Sequence, residues 1–305
     1  MIDFSEFNLF TIKQKLKNKK SYLDISFNLI NLLEVESLKK FFYENKIDYI
    51  FHAAAYKHVD MLNHNIIQAV KNNIVSTKNL VDICNNFKIN NFVYVSTDKA
   101  VRPINVMGFT KRISEIIVQS ATVSNKYTNF SIVRFGNVLG SKGSVVQIFE
   151  DQVMQGGPVT VTHPEVNRYF MTIKEAVGLM LQSCLFSKRD IAEVFVLDMG
   201  KPILIKKLAE LIIKLMGKNI KTREYPNGDI LIDFIGLFEG EKISEELLIG
   251  NNPIKTEHED IFKANENFPA QKEYNLLIDK ILKSIDSLDL EKIQIIRKEY
   301  NNILI

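Results

Sequence analysis

Short apolar runs alternate with helix-period segments along the first 140 residues, and that alternation constrains the fold more than any other feature. Ser5 can cap a helix running through Lys19, with Leu9, Ile12 and Leu16 at helical spacing. A short strand near Tyr22–Leu29 follows, then a helix over Glu34–Asn45 with Val35, Leu38, Phe41 and Phe42 on one face. Asp48–Ala55 reads as a strand entering a small-residue turn, and Ile66–Phe87 as a long helix. Asn91–Thr97 and Phe130–Phe135 are strands on either side of a helix over Val106–Ser124. Strands that follow one another only through helices pair in parallel with right-handed crossovers, so the pattern predicts an α/β doubly wound parallel sheet.

Beyond residue 140 the pattern loosens. Helices are predicted over Val145–Gln155 and Ile173–Leu185, around Ile205–Leu215, and from about Asn275 to Leu304, with a strand at Glu193–Leu197. The chain has 305 residues, 46% hydrophobic and 25% charged, enough to bury a full core in about two units. A net charge of +3 is too small for a nucleic-acid binder, so the basic run Lys13–Lys20 reads as a solvated helix face. Cys84 and Cys184 sit in apolar helical patterns, which suggests buried thiols and neither a disulfide nor a metal site. No run approaches the ~20 apolar residues that span a bilayer, and no signal peptide is seen, so the expected location is cytoplasmic.

The chemistry concentrates at one strand end. Ser96-Thr97-Asp98-Lys99 lies where Asn91–Thr97 stops, and ligands of open α/β sheets bind outside the carboxyl ends of strands. Met107 and Lys111, four apart at the start of the next helix, share a face. A strand-end hydroxyl followed by a residue-x-x-x-Lys pair is the layout of the short-chain dehydrogenase/reductase superfamily. Taken alone, Lys111 reads equally as an ordinary helix lysine, and Thr97 as a turn residue.

The rest of the chain narrows the reading. Phe51-His52-Ala53-Ala54-Ala55-Tyr56-Lys57-His58, Ser96 to Gly108, Arg134-Phe135-Gly136-Asn137-Val138-Leu139-Gly140-Ser141, Gly156-Gly157-Pro158, Arg168-Tyr169-Phe170 and Gly240-Glu241-Lys242 occur in order. This series resembles the CapD-like polysaccharide biosynthesis proteins, UDP-N-acetylglucosamine 4,6-dehydratases of the extended short-chain dehydrogenase/reductase type. The resemblance implies NAD as cofactor, a UDP-sugar substrate, and a homo-oligomer. It also implies roles. Thr97 would bond the sugar O4, Lys99 would take the C5 proton, and Asp98 would protonate the departing O6. Such roles need the Lys99 pKa lowered and the Asp98 pKa raised. Lys111 would hold the nicotinamide ribose. Met107 stands where the family usually has Tyr and can only pack. The resemblance further places Asn31, Ala53, Ala54, Ala55 and Asn73 around the cofactor, with Asn73 distorting its helix behind the site. Lys57, His58, Asn137, Arg134 and Arg168 fall around the substrate. Arg168 is the preferred diphosphate partner, while Arg134, inside a strand, reads equally as a structural ion-pair residue. Asn137 reads also as a turn residue, and His58 as a structural histidine.

By the same resemblance, residues 1–140 and 171–200 form the NAD-binding unit, and 141–170 with 201–305 a smaller sugar-nucleotide unit. The family pattern opens with a strand and a Gly-x-x-Gly-x-x-Gly turn, but the first glycine here is Gly108. The match begins near Asp3, so the first βα unit, roughly 30 residues, is expected to be absent as in a fragment. A longer form could reach the inner face of a membrane through such a region. The expected consequences are a slot of unpaired main chain in the sheet and doubtful NAD binding by this chain. Two alternatives remain: a non-catalytic UDP-sugar-binding subunit, and a C4 epimerase, which would be expected to carry Tyr at position 107.

Overall fold

A computed structural model of the chain describes residues 1–17, 23–250, 252–266, 271–287 and 290–301. The first half runs β1 (Ile2–Asp3), α1 (Glu6–Lys17), β2 (Asn28–Leu29), α2 (Val35–Glu44), β3 (Tyr49–His52), α3 (Val59–His64) and α4 (Ile66–Val70). A π-helical turn, Lys71–Val75, joins α4 to α5 (Ser76–Phe87), followed by β4 (Asn91–Thr97), α6 (Val106–Ser124) and β5 (Asn129–Phe135). The second half runs β6 (Asn137–Leu139), α7 (Val145–Met154), β7 (Val159–Val161), β8 (Asn167–Arg168), β9 (Phe170–Thr172), α8 (Ile173–Ser183) and β10 (Glu193–Leu197). Then come β11 (Ile203–Leu204), α9 (Ile205–Leu215), β12 (Ile220–Lys221), β13 (Ile230–Phe234), β14 (Ile254–Lys255), β15 (Ile261–Lys263), α10 (Gln271–Asp286) and α11 (Leu290–Asn301). The sequence expectations at residues 18–20 and at Tyr22, Leu288 and Leu304 lie outside the described residues.

The main sheet has the order β14-β15-β10-β5-β4-β3. Its members β3, β4, β5 and β10 are parallel, as the alternation predicts, and β15 and then β14 extend it antiparallel beyond β10. The principal core packs α2, α5 and α6 on one face of the sheet, through Leu38, Ile74, Cys84, Phe109, Ile113, Phe92 and Phe130. Val93, Val133, Phe195 and Leu197 face α8 on the other side. A smaller layer forms where α7 and α9 cover β12-β13-β7, with Phe149, Val159, Ala209 and Ile213 at its centre. The expected boundary at residue 201 needs one revision. β14 and β15 rejoin the main sheet, and Leu277, Ile281, Ile293 and Ile296 of α10 and α11 pack into the principal core.

The sheet is interrupted on the side the sequence predicts. β1 and β2 pair in parallel as a separate two-stranded sheet, and β3 is the terminal strand of the larger one among the described residues. Between the two fragments lies a cavity of about 420 Å³, bordered by Ile2, Asp3 and Tyr49–Ala54 and floored by Leu32, Phe41, Phe42 and Leu80. Tyr49 and Phe51 stack with their ring centroids 6.2 Å apart, yet are 54% and 41% exposed. An edge strand carrying bare aromatics is a surface that natural sheets normally cover or charge.

Candidate active site

β4 delivers Val95, Ser96 and Thr97 to the carboxyl end of the sheet, where the chain enters a 3-10 turn, Asp98–Ala100. Thr97 caps that turn: its Oγ1 accepts from the Lys99 N–H at 3.4 Å and donates to Asp98 Oδ1 at 2.8 Å. Lys99 Nζ donates to the same carboxyl oxygen at 3.1 Å and to Asn137 Oδ1 at 3.3 Å. Asn105 caps α6, accepting from the Gly108 N–H at 2.8 Å. This first glycine of the chain is dictated by close approach. A Cβ on Gly108 would lie 2.2 Å from the Lys99 carbonyl oxygen. Gly108→Ala is therefore expected to push the Asp98–Lys99 turn off α6 and to cost about 2 kcal/mol, as overpacking does. Urea unfolding measures this, and a variant as stable as the parent would refute the constraint.

α6 also brings Met107 and Lys111 to the same place. A cavity of about 370 Å³ is lined by Ala53, Ala55, Lys57 and His58 beyond β3, by Val95–Thr97 and Lys99, and by Met107 and Lys111. Its far wall is Phe135–Leu139 with the Ser141–Val146 loop. Lys57 Nζ donates to Ser141 Oγ at 3.4 Å across the mouth. Asp98 sits beneath this floor, fully buried, reached from the cavity through Thr97 and Lys99. Its Oδ2 is buried without a hydrogen-bond partner among the described residues, against Gly136. Asn73 lies behind the cavity in the π-helical turn. Its Oδ1 accepts from the Tyr56 N–H at 2.8 Å, and its Nδ2 donates to Tyr56 O and to Thr110 Oγ1. The expected helix distortion is there, with its amide spent on holding the Tyr56 loop.

The two amines differ electrostatically. Lys111 Nζ donates to Val95 O at 2.6 Å and stands 4.1 Å from the Tyr94 ring centroid. Burial lowers its pKa to about 7, against the opposing pull of Glu115. Lys99 departs from expectation. Burial works to lower it, but the carboxyls of Asp98 and Glu245 outweigh burial and the nearby Arg168, and its pKa is raised. Glu245 Oε1 is 3.6 Å from Lys99 Nζ. The sequence reading assigned Glu245 no role, although it lies just beyond the quoted Gly240-Glu241-Lys242. Its signal, a carboxylate close to a conspicuous charged pair, gave no partner.

Four other assignments need correction. Arg134 is fully buried and makes no contact with the cavity. Its Nε and Nη2 each donate to Glu115 at 2.7 Å, and its Nη1 pairs with Glu266. It is the structural ion-pair residue of the two readings. Arg168 is also outside the cavity. Its guanidinium donates to Glu241 at 3.0 Å and to the carbonyls of Asn167 and Ile243. Asn31 forms a local turn, its Oδ1 accepting from the Leu33 N–H at 3.0 Å, and does not line the cavity. Ala54 borders the slot beside β3 instead.

The residues at the cavity fit one end of a nicotinamide dinucleotide. Lys111 is a buried donor beside the small side chains Ala53 and Ala55, which leave room for a flat ring and its ribose. A cradle for the diphosphate is not seen among the described residues, since no glycine precedes Gly108. Among the described residues no helix is long and apolar enough to cross a membrane, and no cluster could hold a metal ion.

Comparison with known proteins places this architecture. Residues 1–266 match the family described as "Polysaccharide biosynthesis protein". The capsular polysaccharide biosynthesis protein CapD of Staphylococcus aureus is 45% identical over 246 residues, 80% of this chain but 39% of that protein. The UDP-glucose 4-epimerase of Rickettsia akari is 32% identical over 213 residues, 69% of this chain and 59% of that one. Among solved structures, Pen from Bacillus thuringiensis superposes with a TM-score of 0.75 at 30% identity, covering 91% of this chain and 88% of Pen. DesIV of Streptomyces venezuelae, a dTDP-glucose 4,6-dehydratase with NAD and TYD bound, gives 0.64 at 16% identity over 77% and 74% of the two chains, a likeness of fold. The chain belongs to the CapD-like polysaccharide biosynthesis protein family and has the Rossmann-type fold of the extended short-chain dehydrogenases/reductases.

Proposed function

We propose that this chain carries the reaction centre of an NAD-dependent nucleotide-sugar 4,6-dehydratase acting on UDP-N-acetylglucosamine. The observation that carries the reading is the convergence of Thr97, Lys99 and Lys111 on one cavity that has Met107, a residue with no titratable proton, in its wall, with Asp98 bonded to Thr97 and Lys99 beneath its floor. An epimerase needs only to take and return the O4 proton. A carboxyl joined to an amine within 3.1 Å is what an elimination adds.

Lys111 and the Ala53–Ala55 turn would hold the nicotinamide ribose. Bound there, NAD would supply a two-electron oxidation at C4 and its reversal at C6, so that the cofactor ends unchanged. The protein groups do the proton work. Thr97 Oγ1 would bond O4 and, as the ketone forms, pass the O4 proton to the Asp98 carboxylate to which it donates at 2.8 Å. The C4 ketone makes the C5 hydrogen acidic, and Lys99 Nζ, once neutral, would take it as a proton. Asp98 would deliver the O4 proton to O6 through Thr97. O6 leaves as water while C5 and C6 share the electron pair of the broken C5–H bond, and Lys99 returns a proton to C5 as C6 is reduced. Lys57 and His58 at the cavity rim would face the diphosphate or sugar, with Asn137 steering Lys99. Arg134 and Arg168 have no part in this scheme. UDP-sugar synthesis in the cytoplasm by a homo-oligomer completes the reading.

The test is direct. Incubation with UDP-N-acetylglucosamine and NAD should yield a 4-keto-6-deoxy product, seen by mass as the loss of one water, and Lys99→Ala should lower its rate about 10³-fold. Because no diphosphate cradle is seen, half-saturation by NAD is expected only at millimolar levels. A product of unchanged mass, epimerised at C4, would overturn the dehydratase reading. Binding of the sugar nucleotide with no product at saturating NAD would establish the non-catalytic alternative.

A further inference from the structure

Lys99 poses a problem that the rest of the cluster resolves. Its two carboxyl neighbours hold it as an ammonium, and an ammonium cannot take a proton from C5. The proton must leave first, and a sugar nucleotide seated in the cavity would cover that side of Lys99. The other side meets Glu245. This carboxyl is itself nearly buried, with Oε1 3.6 Å from Lys99 Nζ and Oε2 lacking a hydrogen-bond partner among the described residues. Glu245 also lines a second cavity of about 680 Å³, together with Arg102, Tyr169 and Glu246. Arg102 and Glu246 pair across that cavity, with side chains each 41% exposed, so it communicates with solvent. Glu245 thus has one oxygen at the reactive lysine and a place in the wall of a second, solvent-connected cavity.

We propose that Glu245 is a positioning and proton-relay residue that takes the proton from Lys99 and passes it to solvent through the second cavity. The transfer balances: the Lys99 N–H bond breaks, a Glu245 O–H bond forms, and the carboxyl then releases the proton to water. After Lys99 receives the C5 proton the same path lets it exchange with solvent before Lys99 returns a proton to C5. Burial, helped by Asp98, holds the Glu245 carboxyl above its ordinary range, while Lys99, Arg168 and Lys242 pull it down. A carboxyl so raised is a better acceptor for an ammonium proton than a solvated one. The 3.6 Å gap is one that a single water or a small rotation closes.

The inference rests on the base role given to Lys99 above, and its test separates the two. Acylation of Lys99 by acetic anhydride at pH 9, followed by peptide mass spectrometry, reads the neutral fraction of the amine without any turnover. Glu245→Gln should speed that acylation about tenfold, the equivalent of one pKa unit. Glu246→Gln, in the same cavity wall but paired with Arg102, should leave it unchanged. Equal rates in Glu245→Gln and the parent, or equal acceleration by both variants, would overturn the proposal. In turnover, Glu245→Gln should lower kcat at least tenfold with KM within twofold, and an unchanged kcat would also overturn it. If the parent chain makes no product while acylation responds as expected, the coupling of Glu245 to Lys99 stands and the dehydratase reading falls.

Discussion

Replacing Glu115 with glutamine is expected to destabilise the fold by about 3–5 kcal/mol, the cost of leaving a buried ion network one charge short. Glu115 is fully buried on α6, facing β4 and β5. It accepts from Arg134 through both oxygens at 2.7 Å, from Arg112 at 2.9 Å and from Ser96 Oγ at 2.6 Å. Glu266 takes the remaining bonds of Arg134 and lies 3.5 Å from Arg112. Two carboxylates and two guanidinia cancel, so the cluster is neutral as built. Removing one carboxylate strands a guanidinium in the core with no route to water. Burial alone would raise the Glu115 pKa, but Arg134, with Arg112 and Ser96, lowers it to about 2. A depressed carboxyl stabilises the fold fully above its unfolded value near 4.5 and loses that contribution as the pH falls toward 2. The depression corresponds to about 3 kcal/mol, so the urea midpoint of the parent should fall between pH 4.5 and 2, and that of Glu115→Gln should fall less. A loss under 1 kcal/mol at pH 7 would show that the network is dispensable. Arg134→Ala should unfold the protein in the same way. Weakened ligand binding by a stable Arg134→Ala would instead restore its place in the site.

The contrast between Arg134 and Lys111 shows what the sequence made legible. Lys111 is legible because two local patterns meet on it: a strand that stops at Thr97 and a helix whose first turn puts residues 107 and 111 on one face. The helix Val106–Ser124 and the strand Glu193–Leu197 come out with the bounds read from periodicity alone. Arg134 carries no such signal, since its partners Glu115 and Glu266 lie 19 and 132 residues away. The same holds for Glu245, which meets Lys99 only because the loop after β13 folds back across the sheet end. Two-residue strands such as β1, β8 and β11 are too short for any alternation to show. β15 joins the sheet antiparallel beside β10, a placement set by β10 and not by its own three residues. The raised pKa of Lys99 is illegible in sequence for the same reason: a residue type at a strand end fixes position, whereas its charge is fixed by carboxyls such as Glu245 from elsewhere.

Lys111 is expected to cost stability in return for its place at the cavity. Its side chain is buried, and at pH 7 the unfolded chain keeps it fully protonated while the folded chain holds it near half. A lysine whose pKa is lowered from 10.5 to about 7 opposes folding fully below pH 7, and the penalty is relieved as the pH rises toward 10.5. The shift amounts to about 4–5 kcal/mol, of which the bond to Val95 O and the contact with the Tyr94 ring are already part. Lys111→Met keeps the length of the side chain and removes the amine. After allowance for the unmet Val95 carbonyl, it should raise the unfolding free energy at pH 7 by roughly 2 kcal/mol. The variant should also lose the rise in stability that the parent shows between pH 7 and 10. The proposed dehydratase activity, in which the amine would hold the ribose, should fall at least about 100-fold. Urea unfolding at pH 7 and 9.5 on both proteins, with product formation followed alongside, measures all three. A destabilised Lys111→Met would mean that the amine holds the fold together and that its burial is structural. A stabilised but fully active variant would mean that the cavity works without it. Stability gained together with activity lost is the signature of a group kept in the core for chemistry against its own solvation.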